Sequence, residues 1–139
     1  MPHITISTIP TGDTLELQRG DTLTVTATRL GDISGRDSLW FTVKDDTDDA
    51  DTLAQIQIEE TAGLLYIAGA AATTPANGSI TVTDAVRGDL TVVLAAVEAA
   101  KLNVMGRWYY DIQDLEGVVI TTRLRGRTII TGDVGRVTS

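Results

Sequence analysis

One histidine and no cysteine narrow the chemistry open to this chain of 139 residues. A Ser-His-Asp arrangement would have to recruit His3, three residues from the start, where chains often fray. Gly31-Asp32-Ile33-Ser34-Gly35 places its serine one position too late for the G-x-S-x-G nucleophile turn. There is no phosphate-binding P-loop and no dinucleotide fingerprint. A zinc site would need mostly carboxylates, whereas zinc sites are built chiefly from Cys and His. The acids themselves are concentrated in Asp45–Asp51, DDTDDAD, with five carboxylates in seven residues. A calcium-binding EF-hand loop wants Gly at its sixth position and Glu at its twelfth. Counted from Asp45, those positions are Ala50 and Ile56; counted from Asp46, the fifth ligand position is Ala50. Carboxylates crowded in one polar loop are also a poor place for the raised pKa of a general acid. The stretch reads as a solvated acidic connection, with a surface cation site of another geometry as the alternative. The expectation is a non-enzymatic chain with no cofactor and no metal.

Net charge is −8, which argues against nucleic acid as a partner. The charge is uneven: residues 1–100 carry five basic and fifteen acidic groups, residues 101–139 six basic and four acidic. Such asymmetry is either chance clustering on a solvated surface or a pair of complementary patches between neighbouring copies. The start of the chain has no basic leader followed by an apolar run, so no secretory signal is expected. The apolar runs at Leu64–Ala72 and Val92–Ala100 fall short of the roughly 20 residues that span a bilayer, so no membrane partner is expected either. Cysteine-free composition suits a reducing cytosol.

The elements that would position any site are strands. Thr and Val alternate through the chain, a pattern that favours sheet over helix. Strands are expected at 3–9, 15–17, 21–29, 38–44, 54–60, 79–83 and 90–94, with a buried strand and its continuation over 63–72 and a tight turn at Asn77-Gly78. Asp21 to Arg29 alternates most cleanly, with Leu23, Val25 and Ala27 on one face and four threonines on the other. Residues 95–102, AAVEAAKL, form the one expected helix, too short to stand alone and docked through Val97 and Leu102.

Residues 106–136 read as a long hairpin and one more strand. Trp108, Tyr110 and Ile112 share one face, and Tyr109, Asp111 and Gln113 the other. Asp114-Leu115-Glu116-Gly117 is expected to turn, with Gly117 at φ > 0. The return strand sets Val119, Thr121, Arg123 and Arg125 on one face, Gly126 allows a second bend, and Arg127–Thr131 forms the last strand. The outward aromatics Trp40 and Tyr109 and the arginines Arg123, Arg125 and Arg127 are the interface candidates, since Tyr, Trp and Arg are enriched at protein contacts. The competing expectation for the arginines is pairing within the fold, with Asp111 or Glu116 across the hairpin.

The aromatic pair followed by Asp-Ile-Gln, a Gly turn, an outgoing strand, and then Gly126, Ile130, Asp133, Val134 and Arg136 resembles a small β-domain of tailed-bacteriophage virion proteins, the upper-baseplate N-terminal domain family. Leu39-Trp40-Phe41-Thr42-Val43-Lys44 before an acidic loop fits the same likeness. The pattern as a whole predicts a single all-β domain over 1–139, an immunoglobulin-like two-sheet antiparallel sandwich with one short helix; a jelly roll or a partly open barrel are the alternatives. The resemblance implies a structural virion protein of tail, baseplate or neck, present in many copies or as a homo-oligomer beside tail, neck or major capsid proteins. A capsid decoration protein is the second expectation and a carbohydrate-binding module the third.

Overall fold

Alternation of apolar and polar side chains builds the strands of this chain. In the computed structural model, which describes residues 3–7, 14–45, 53–104 and 107–132, Leu23, Val25 and Ala27 are buried and Thr24, Thr26 and Thr28 are half-exposed. The described strands are β1 (His3–Ser7), β2 (Leu15–Gln18), β3 (Leu23–Thr28), β4 (Ser38–Lys44), β5 (Ile56–Glu59), β6 (Gly63–Ile67), β7 (Ala70–Ala71), β8 (Gly78–Asp84), β9 (Asp89–Leu94), β10 (Trp108–Glu116) and β11 (Val119–Thr131). The expected acidic connection Asp45–Asp51, apart from Asp45, and the motif residues Asp133, Val134 and Arg136 lie outside the described residues.

Two sheets form among these strands. The smaller runs β1-β3-β9-β8 and the larger β2-β11-β10-β4-β5-β6-β7. This is the immunoglobulin-like sandwich, with extra strands beside the central three of the larger sheet as in its variable type. Most pairings are antiparallel, but β1 lies parallel to β3 and β2 parallel to β11. Inward residues of both sheets make one core, including Val25, Leu90 and Val92 from the smaller and Phe41, Ile58, Tyr110 and Ile112 from the larger. The rings of Phe41 and Tyr110 stand 6.4 Å apart. With no cysteine in the chain, packing joins the sheets without a disulfide.

Several expectations change in three dimensions. The helix α1 spans Ala96–Ala99 only. Val97 points to solvent, while Glu98, Ala99 and Leu102 are buried. The inward Glu98 is tolerated because its oxygens accept from Lys101 Nζ and Asn77 Nδ2, both at 2.8 Å. The expected buried strand and its continuation over 63–72 fold back as a hairpin, with Ala70 and Ala71 exposed. A 3₁₀ turn at Pro75–Asn77, not a tight Asn-Gly turn, leads into β8. Gly126 makes no bend, since β11 pairs continuously through it opposite Tyr110.

Candidate protein interface

The β10–β11 hairpin organises the solvent side of the larger sheet. Its turn lies two residues beyond the expected start: Asp114 to Glu116 remain in β10, Glu116 pairs with Val119, and Gly117-Val118 form the loop. Gly117 has φ +62° while Val118 has no positive φ, as a two-residue II′ turn requires. Asp37 holds the turn from outside, its Oδ2 accepting from the Gly117 amide at 2.7 Å.

A bulge then breaks the alternation of the return strand. Ile112 pairs with Leu124 but Gln113 pairs with Thr122, leaving Arg123 as the extra residue. Arg123 and Arg125 therefore do not share a face as the simple period implies. Arg123 Nε donates to Asp114 Oδ1 at 2.6 Å and Nη2 donates to the Asp32 carbonyl at 3.3 Å. Asp114 is the main cause that holds the Arg123 guanidinium still more firmly protonated than usual. The intramolecular partner of Arg123 is thus Asp114, neither Asp111 nor Glu116. Arg125 sits opposite Asp111 and Arg127 opposite Tyr109, and both arginines are exposed.

Register places the remaining candidates on one face, with Trp40 four positions along the strands from Tyr109. Trp40 lies opposite Gln113, Thr42 opposite Asp111, and Lys44 opposite Tyr109. Trp40 and Tyr109 are half-buried, and Trp40 Nε1 donates to Ser38 Oγ at 2.9 Å. Gln57 follows on the same side from β5, paired with Thr42, but both are buried and leave the exposed part of the face to its flanks. Two shallow concavities mark this surface. One of about 270 Å³ includes Trp40, Gln113, Leu115 and Ile120; one of about 400 Å³ includes Lys44, Tyr109, Asp111, Arg125 and Arg127.

Tyr66, Val118 and Ile120 join the candidates without having been anticipated. Tyr66 pairs with Gln57 and so falls on the outer face, because a second bulge leaves Leu65 unpaired and resets the alternation of β6. The six aromatic residues of the chain thus divide evenly, with Phe41, Trp108 and Tyr110 buried and Trp40, Tyr66 and Tyr109 half-exposed. Ile120 pairs with Leu115 at the tip end of the same face. Its signal was present in the sequence as three successive β-branched residues after the turn glycine.

No family model matches this sequence, and no curated protein does. Among solved structures, the chain is similar to a marsupial T cell receptor at 8% identity and a TM-score of 0.50, covering 91% of this chain and 51% of that one. It thus spans about half the length of that receptor chain. The NK cell receptor NKp44, described as a triggering partner in natural cytotoxicity, is similar at 14% identity and a TM-score of 0.47, over 86% of this chain and 99% of that one. At such identities the likeness is one of fold.

Proposed function

We propose that this chain is a non-enzymatic structural domain of a tailed-bacteriophage virion, an assembly component of tail, baseplate or neck that docks through the outer face of its larger sheet. The observation that carries the docking reading is the outward placement of Trp40, Tyr66 and Tyr109 on the sheet face that also carries Arg125 and Arg127. Residues of these types concentrate at protein contacts because they combine apolar area with a polar or charged end. The virion setting is supported by the sequence resemblance of the β10–β11 hairpin and of β4, whose motif residues are neighbours in one sheet.

Quantitative mass spectrometry of particles purified from the producing host tests this reading. The expected result is stoichiometric presence, at a small multiple of three or six copies per particle. Hundreds of copies per particle would move the chain to the capsid surface as a decoration protein. Absence from purified particles would overturn the virion assignment. Outward aromatics also suit a sugar-binding platform, so binding on a glycan array without particle association would favour a carbohydrate-binding module.

A further inference from the structure

Four of the described cations are paired inside the fold: Arg36 with Glu60, Arg87 with Asp89, Lys101 with Glu98 and Arg123 with Asp114. Arg107 and Arg127 are exposed and have no such partner among the described residues. In a chain with 19 acidic and 11 basic residues that is unexpected, since carboxylates are in excess. Both arginines border one concavity of about 360 Å³, at the end of the β10–β11 hairpin away from its turn. Tyr109, Val104, Ile129 and Ile130 give it apolar wall, and no carboxylate lines it. Asp111 stands two positions along β10 from Tyr109, and Glu16 stands opposite Ile129, but neither borders the concavity. Its volume falls in the range of small-ligand sites.

Register fixes the spacing of the two charges. Arg127 pairs with Tyr109, and Arg107 stands two residues before Tyr109, on the same side by alternation. The arginines are therefore diagonal neighbours, about 7 to 8 Å apart at the backbone. In an extended segment, side chains two residues apart point the same way at a spacing of about 7 Å.

We infer that this concavity docks an extended acidic segment of a partner protein, with two carboxylates separated by one residue and an apolar side chain on the same alternation. One carboxylate meets each guanidinium fork, and the apolar side chain packs on Ile129 and Tyr109. A phosphate polymer fits less well. Its charges run on beyond the two arginines over a chain of net charge −8, and it offers nothing to the apolar wall. The inference rests on the docking reading above and names the chemistry of the partner.

The purified chain, screened against an array of blocked heptapeptides of random sequence, tests this. Bound peptides should be enriched in two acidic residues separated by one, with an apolar residue two positions away. Replacing both acids of a bound peptide by their amides should weaken binding at least about tenfold. Arg107→Ser and, separately, Arg127→Ser should do the same, with the far-UV spectrum unchanged. Arg87→Ser removes the same charge from the β8–β9 turn and should leave binding as it is. Arg127→Lys keeps the charge without the fork and should bind less tightly than wild type. An array that yields no binder, or binders without acidic enrichment, would overturn the inference. So would a loss in Arg87→Ser equal to that in Arg127→Ser, because attraction to overall charge would then suffice. Tighter binding of a single-stranded oligothymidylate at the same salt would overturn it in favour of a phosphate polymer. None of these results alters the presence of the chain in particles, so the docking reading keeps its own separate test.

Discussion

Arg123 and Asp114 form an ion pair at 2.6 Å across the β10–β11 bulge, with the Asp114 side chain only 3% exposed. The bulge turns Arg123 away from the row that holds Arg125, and the pair gives an otherwise buried carboxylate its partner. Arg123→Ser should therefore act on stability and not on docking. Leaving a buried charge without its partner costs several kcal/mol, reduced here because the Arg123 side chain is 23% exposed. A loss of about 2 kcal/mol is expected, lowering the melting temperature by roughly 8 °C for a domain of this size. A double-mutant cycle with Asp114→Asn should show coupling above about 0.5 kcal/mol. Additive losses would show that the pair contributes nothing of its own.

Gly117 carries the hairpin turn at φ +62°, and a Cβ added there meets open space. Its substitution cost is therefore conformational and not steric. Gly117→Val should destabilise by about 1 to 2 kcal/mol, and Gly117→Asn by less, since Asn tolerates left-handed backbone. Equal melting temperatures for all three chains would remove the turn from this account.

The helix offers a contrast between neighbours. Val97 is exposed and Leu102 is buried against the core. Val97→Ser should change stability by no more than about 0.5 kcal/mol, whereas Leu102→Ala should cost about 2 to 4 kcal/mol. Chemical denaturation of the two variants decides this directly, and similar losses would mean that α1 is rotated from its described position.

Glu98 gives the fold a pH dependence. Hydrogen bonds from Lys101 and then Asn77 lower its pKa below the ordinary 4.5, outweighing the opposing effect of burial. A carboxyl group depressed in the folded state contributes stability that is full above its unfolded pKa and is lost as pH falls through its folded pKa. The stability gap between wild type and Glu98→Gln should thus be largest near neutrality and shrink as pH falls below 4.5. A gap that widens on acidification would contradict the sign.

Much of this fold was legible because alternation in β3, β4 and β10 reports directly which side chains enter the core. The sandwich and the outward positions of Trp40 and Tyr109 follow from that period alone. What the period hides is an inserted residue. The bulge at Arg123 separates it from Arg125, and the bulge at Leu65 turns Tyr66 outward from a run that reads as continuously apolar. Glu98 was hidden for another reason. Its burial depends on Asn77, a partner 21 positions away, and no local signal announces that contact. The continuity of β11 through Gly126 is likewise a tertiary result, imposed by pairing with β10.

Incorporation in competition tests the central claim, docking through the outer face, most directly. Particles would be assembled with wild-type chain mixed with either of two folded variants: Tyr109→Ala with Arg125→Ser and Arg127→Ser, or Thr81→Ala with Thr83→Ala on the exposed strand β8 of the opposite sheet. The first variant should be under-represented in purified particles by at least about tenfold, equivalent to 1.4 kcal/mol of lost docking energy. The second should enter in proportion to its supply. Equal entry of both variants would contradict the account.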